Sequence, residues 1–140
     1  MTDAPLHHEF QVVSTAEYVP FARRETAKVL SGWGLDAETV ATACLIVTEL
    51  VTNVVQHAAV LSPTAAVHLG IDAAALTLVV ADAHPFKPKA LPTAHDLGGR
   101  GLHLVKALVA EFHGSHEVTA DETSGGKRIV IRLPLALLPA

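Results

Sequence analysis

Apolar residues recur at helical spacing in three stretches of this chain and alternate with polar ones in several shorter runs. Over residues 45–58, Leu-Ile-Val-Thr-Glu-Leu-Val-Thr-Asn-Val-Val-Gln-His-Ala places Val47, Val51, Val54, Val55 and Ala58, with Cys44 just before them, on one side of a helix. Glu49 and Asn53, four residues apart, leave the opposite side one turn above the other, with Thr52 and Gln56 beside them. Asp36 is placed to cap this helix, which runs to about Ala59. Upstream, residues 10–13 predict a short strand, and a helix extends to about Ser31 from near Pro20, a residue tolerated only in the first turn. Gly32 and Gly34 around Trp33 end that helix. Pro63 breaks the chain, and residues 66–71 and 75–81 predict two strands joined by a tight Asp72-Ala73-Ala74 connection. Residues 102–112 resume helical spacing through Leu104, Val105, Leu108 and Val109, and residues 116–119 and 127–133 close as a hairpin.

The order is therefore strand, helix, helix, strand, strand, long loop, helix, strand, strand. It predicts an α/β two-layer sandwich: one mixed, mostly antiparallel sheet with helices on one face. The 140 residues read as a single domain, 1–140, and half of them are hydrophobic, enough for a packed core. A formal charge of −4 and the lack of any Lys/Arg block argue against direct nucleic-acid binding. The start, Met-Thr-Asp-Ala-Pro-Leu-His-His-Glu, has no signal-peptide pattern, and no uninterrupted apolar run approaches the roughly 18 residues that cross a bilayer. The expectation is a cytoplasmic protein without membrane contact. The single cysteine, Cys44, excludes an internal disulfide and a multi-cysteine metal site. Nine histidines are many, but none forms a His-Glu-x-x-His pair; they read as surface or half-buried side chains. His7-His8 is expected near a loose terminus, and His113 and His116 frame Gly114-Ser115 between two elements.

Candidate chemistry gathers in and around residues 82–101. Pro85, Pro88 and Pro92 exclude a regular helix there, and a loop this long in a compact domain is usually functional or disordered. Asp82 stands just past an apolar strand, at the mouth of a pocket. Gly98-Gly99-Arg100-Gly101 leads into a helix, where backbone N–H groups and a partial positive charge suit phosphate oxygens. An ordinary flexible loop has the same composition, and the run matches neither the P-loop nor the dinucleotide fingerprint. A carboxylate and an amide on one helix face, Glu49 and Asn53, can hold a hydrated cation and take a proton from a hydroxyl. The same stripe is also what the wet side of an amphipathic helix looks like.

Together, in this order, the three pieces resemble the GHKL ATPase superfamily of type II topoisomerases, heat-shock chaperones, mismatch-repair ATPases and sensor histidine kinases. The likeness is greatest to bacterial anti-sigma factor serine/threonine kinases and their small stand-alone ATP-binding relatives. Glu49-Leu50-Val51-Thr52-Asn53, with His57-Ala58 after it, resembles the family's N-box. The strand ending at Asp82 resembles its first glycine box, and Gly98-Gly99-Arg100-Gly101-Leu102 its second. Trp33-Gly34-Leu35 also fits the small members, and the likeness spans residues 10–133. The resemblance implies a Bergerat-type fold that binds ATP and Mg²⁺, with Asn53 on the metal and Glu49 as general base. It implies that Asp82 accepts from the adenine amino group, and that Gly98, Gly99, Arg100, Gly101 and Leu102 close over the phosphates. It further implies a kinase that phosphorylates an antagonist protein and sequesters a sigma factor, with a homodimer as one possible assembly. The alternative is a regulator gated by nucleotide that transfers no phosphate. A whole sensor histidine kinase is not expected, since no phosphoacceptor helix pair fits; an orphaned catalytic module would. Two departures stand out. The family carries glycines after the aspartate where this chain reads Asp82-Ala83-His84-Pro85-Phe86, and it brings a threonine toward the adenine near the position of Arg128.

Overall fold

Strand β1 (Leu6–Val13) begins four residues before the predicted start, because Leu6, His8, Phe10 and Val12 already alternate and pair in register with β2. His7 and His8 are therefore ladder residues opposite Gly70 and Leu69, while the terminus expected to be loose beside them, residues 1–4, lies outside the described residues. The computed structural model describes residues 5–57, 63–82, 101–120 and 126–135. A single 3₁₀ turn (Ala16–Tyr18) leads into α1 (Val19–Gly32), with Pro20 in the first turn, where no intrahelical N–H is lost. Gly34, at φ 87°, ends α1: its N–H donates to Ser31 O and the Leu35 N–H reaches back to Leu30 O. This is the left-handed stop that a glycine makes without strain.

Helix α2 (Ala37–His57) is capped as predicted, the Thr39 N–H donating to Asp36 Oδ1 at 2.7 Å. The hairpin of β2 (Thr64–Ile71) and β3 (Ala75–Asp82) turns on Asp72, whose Oδ1 accepts from the N–H groups of Ala74 and Ala75. Those two bonds hold the Asp72 carboxyl below its ordinary range. Helix α3 (Gly101–Glu111) and the hairpin β4 (Ser115–Ala120) and β5 (Lys127–Pro134) complete the described elements.

The strands form one sheet in the order β1-β2-β3-β5-β4, and all four pairings are antiparallel. Pairing runs Phe10, Val67, Val80, Ile129, Val118 across all five strands, and a second row runs His8, Leu69, Leu78, Ile131, His116. These rows face the helices, and most of their apolar members join Leu30, Ile46, Val47, Leu50, Val51, Val105 and Val109 in one core. Each fully buried Leu or Ile contributes about 1.5–3 kcal/mol. The intervening row, Glu9, His68, Val79, Val130, Glu117, lies on the other face, as does the row Gln11, Ala66, Ala81, Arg128, Thr119 beyond Phe10. The expected layers are thus present, one sheet with the described helices on one side of it.

α2 packs against α1, α3 and the sheet. It is long and apolar enough over Ala37–Gln56 to cross a membrane, which the sequence expectation missed because polar residues interrupt the run. Half of that stretch is buried inside the protein, and Ile46, Val47, Leu50 and Val51 are wholly so, which accounts for its apolarity. Cys44 is also buried, its thiol donating to the Arg23 carbonyl at 3.6 Å across the α1–α2 contact. Burial pushes that thiol up, away from nucleophile chemistry.

Candidate functional site

One end of the sheet collects the polar residues that the apolar pattern leaves over. There β1 finishes and β2 starts, tied by the Ser14 N–H to the Pro63 carbonyl, and Asp82 at the end of β3 pairs with Lys127 at the start of β5. The connections 58–62, 83–100 and 121–125 leave from this end in sequence and lie outside the described residues. Gly98, Gly99 and Arg100 are among them, as are Ala58 and the expected departure after Asp82.

Glu49 and Asn53 do not form a wet helix face. Asn53 is buried, and Glu49 is half-buried against the first residue of α3. A Cβ built on Gly101 would stand 2.5 Å from Glu49 Oε1, so only the absence of a side chain lets the carboxylate sit there. Gly101, expected as a phosphate-loop glycine, is the first residue of α3, and its missing side chain leaves room for Glu49. A helix start carries unsatisfied N–H groups and a partial positive charge, which favour an anion at this place. Leu102, the next residue, is buried in the core and anchors that helix end. Glu49 and Gly101 thus meet where α2 approaches α3, with Asn53 one helical turn along α2.

Asp82 is the second group, and its surroundings differ from those the sequence suggested. It lies on the helix-facing side of the sheet, buried, with its Oδ2 accepting from Lys127 Nζ at 2.8 Å. The side chains of Lys127 and Asp82 are only 8% and 3% exposed, so the pair is cut off from most solvent screening. Arg128, which stands near where the family brings a threonine toward the adenine, is exposed on the other face opposite Ala81. Lys127 was not singled out from the sequence. The signal was available: Lys127, Ile129, Ile131 and Leu133 share one parity, so a strand that buries the last three turns the lysine inward as well.

Among the described residues, no group of three or more His, Cys, Asp or Glu side chains could hold a metal ion. His7, His8, His68, His103, His113 and His116 are exposed or half-buried; His8 contacts Glu25 at 3.0 Å, and His7 meets His68 at 3.3 Å on the open face. Burial, with His7 second, holds His68 below the ordinary imidazole range. A cavity of about 670 Å³ lined by Gly34, Asp36, Phe112, His113 and Leu135 lies beside Pro134, at the other end of the sheet from Asp82. It is remote from the acidic and amide groups above.

A family model described as a histidine kinase-like ATPase domain matches residues 12–133, nearly the whole chain, from the end of β1 into β5. The chain belongs to the histidine kinase-like ATPase family. Its fold is the GHKL ATP-binding fold, and membership makes it an ATP-binding domain of the kinase type. Among solved structures it is similar to the histidine kinase domain of the blue-light activated histidine kinase EL346 from Erythrobacter litoralis. That match has 26% identity and a TM-score of 0.50, over 70% of this chain and 45% of that one, so this chain spans less than half of it. It is also similar to the mycobacterial sensor histidine kinase MprB, with 26% identity, a TM-score of 0.45, and coverage of 65% of this chain and 73% of that one. None of the curated proteins compared is a significant match.

Proposed function

We propose that this histidine kinase-like ATPase domain is an ATP–Mg²⁺-dependent serine/threonine protein kinase of the anti-sigma factor type. It phosphorylates an antagonist protein and, when unopposed, sequesters a sigma factor in the cytoplasm, as a monomer or a homodimer. The observation that carries this reading is the seating of Glu49 at the start of α3, one helical turn from buried Asn53. Pure nucleotide binding has no use for a carboxylate at the place where phosphates would collect. A general base for an incoming hydroxyl does.

The residues fit a metal–nucleotide ligand. The Asn53 amide oxygen is a hard donor of the kind Mg²⁺ accepts, and the side-chain-free surface of Gly101 allows close approach to the first N–H groups of α3. Bound there, the ion would neutralise phosphate charge. Asn53 would hold it, the N–H groups of Gly101 and Leu102 would face the phosphates beside Gly98, Gly99 and Arg100, and Asp82 would accept from the adenine amino group. Glu49 would orient the attacking hydroxyl and take its proton. Positioning and charge neutralisation are what phosphoryl transfer chiefly requires of a protein.

A second reading, a regulator that binds nucleotide but transfers nothing, is favoured by one observation. The run Asp82-Ala83-His84-Pro85-Phe86 lacks the glycines that follow the aspartate in kinases of this type. Incubation with γ-labelled ATP and candidate antagonist proteins separates the two. Label appearing on an antagonist serine or threonine supports the kinase. Tight nucleotide and partner binding without transfer supports the regulator.

A further inference from the structure

A buried ion pair is costly to keep. Removing two charges from water costs several kcal/mol each in real proteins, and apolar replacements of similar volume are often as stable or more so. The Asp82–Lys127 pair sits at the rim of the core, next to Val80 and Ile129 on strands that otherwise turn apolar residues inward. Its location is not that of a structural brace. The pairing of β3 with β5 continues for seven further residue pairs without it. The pair closes the ladder at the end of the sheet that the connections 58–62, 83–100 and 121–125 leave in sequence.

What the pair offers is a hydrogen-bond acceptor and donor side by side. A carboxylate has about four lone-pair sites and accepts from several donors at once, while an ammonium has three N–H groups, of which the bond to Asp82 uses one. An acceptor and a donor at 2.8 Å match the adjacent donor and acceptor on the pairing edge of adenine, the amino group and ring nitrogen N1. Guanine presents an N–H at that ring position, which would point at the ammonium.

We infer that Lys127 is a specificity-determining residue of the nucleotide site, donating to N1 of the adenine ring while Asp82 accepts from the amino group. This rests on the proposed nucleotide site and adds to it the group that tells adenine from guanine. Lys127 also holds the Asp82 carboxylate in the plane in which both bonds can form. The sign of discrimination follows: a base with an acceptor at position 1 gains a charge-assisted bond, and a base with a donor there loses it and meets repulsion.

The test pairs a change in the ligand with a change in the protein. Binding of Mg²⁺–ADP, 1-deaza-ADP (a C–H in place of N1) and GDP is measured by calorimetry on the unmodified chain and on Lys127→Met. A hydrogen bond to a charged group corresponds to about 10- to 100-fold in affinity, so the unmodified protein should bind 1-deaza-ADP that much more weakly than ADP. In Lys127→Met the ADP and 1-deaza-ADP affinities should converge to within about three-fold, and GDP should close on both. Equal binding of ADP and 1-deaza-ADP by the unmodified protein would overturn the inference and leave the nucleotide site standing. So would a Lys127→Met variant that still distinguishes them. Failure of ADP itself to bind would overturn the site and the inference together. If Lys127→Met does not fold, the ratio of ADP to 1-deaza-ADP affinity on the unmodified protein decides between support and refutation.

Discussion

The Glu49 carboxylate occupies the space that a Gly101 side chain would take, so a helix-α2 acid and a helix-α3 glycine define one position between them. The obstructed atom is the tip of a flexible side chain, so Gly101→Ala should displace Glu49 rather than unfold the domain. Stability should change by no more than about 1 kcal/mol, since alanine is the better helix former. Phosphate transfer to a cognate antagonist should fall by roughly 10- to 100-fold, the usual cost of misplacing a reacting group. Urea denaturation and single-turnover transfer measured on the same preparation check both halves. Unchanged transfer would separate Glu49's position from the chemistry.

At the far end of α3, His113 adopts the left-handed conformation, with φ 56°, and its N–H donates to Ala110 O. That conformation costs a residue with a Cβ about 1–2 kcal/mol, so His113→Gly should stabilise the domain by about 0.5–1 kcal/mol. Gly114 is the opposite case. A Cβ there would collide with the backbone carbonyl of Arg132, which cannot swing aside, so Gly114→Ala should destabilise by about 1–3 kcal/mol. Denaturant midpoints for the two variants should move in opposite directions from the parent.

The Thr39 hydroxyl and backbone N–H together hold the Asp36 carboxyl below its ordinary range. A folded-state pKa below the unfolded value of about 3.9 means that the native state binds fewer protons. The cap's contribution is therefore present above about pH 4 and disappears as pH falls through the lower, folded value. Asp36→Ala should melt at a lower temperature than the parent at pH 7, and the two melting temperatures should converge in acid. A gap that persists at pH 2 would contradict the assignment.

Much of the fold was legible in the sequence because its signals are local. The Pro20 start, the Gly34 stop, the Asp36 cap and the Asp72 turn each act within a few residues and were read in place. β1 was cut short because His7 and His8 carry no strand signal of their own; pairing with β2 supplies it. The site was legible as motifs and not as contacts. Helical spacing put Glu49 beside Asn53, but nothing local said that Gly101 would close on Glu49 from more than fifty residues away. The Asp82–Lys127 pair is hidden for the same reason, since it depends on which strand becomes the neighbour of β3. The resemblance drew attention to the position of Arg128 and not to Lys127 beside it, and in a strand one position is the difference between the two faces of the sheet.

The division of labour between Glu49 and Asn53 is the centre of this account, and calorimetry of ADP binding with and without Mg²⁺ tests it most directly. The unmodified chain should bind ADP in a Mg²⁺-dependent manner, and nucleotide at a hundred times its Kd should add about 2.7 kcal/mol of stability. Glu49→Gln should keep that affinity to within a few-fold, because its carboxylate is assigned to the attacking hydroxyl. Asn53→Ala should lose about 10- to 100-fold in affinity and most of its dependence on Mg²⁺. No heat and no thermal shift at millimolar nucleotide, or an Asn53→Ala variant with unaltered Mg²⁺ dependence, would contradict it.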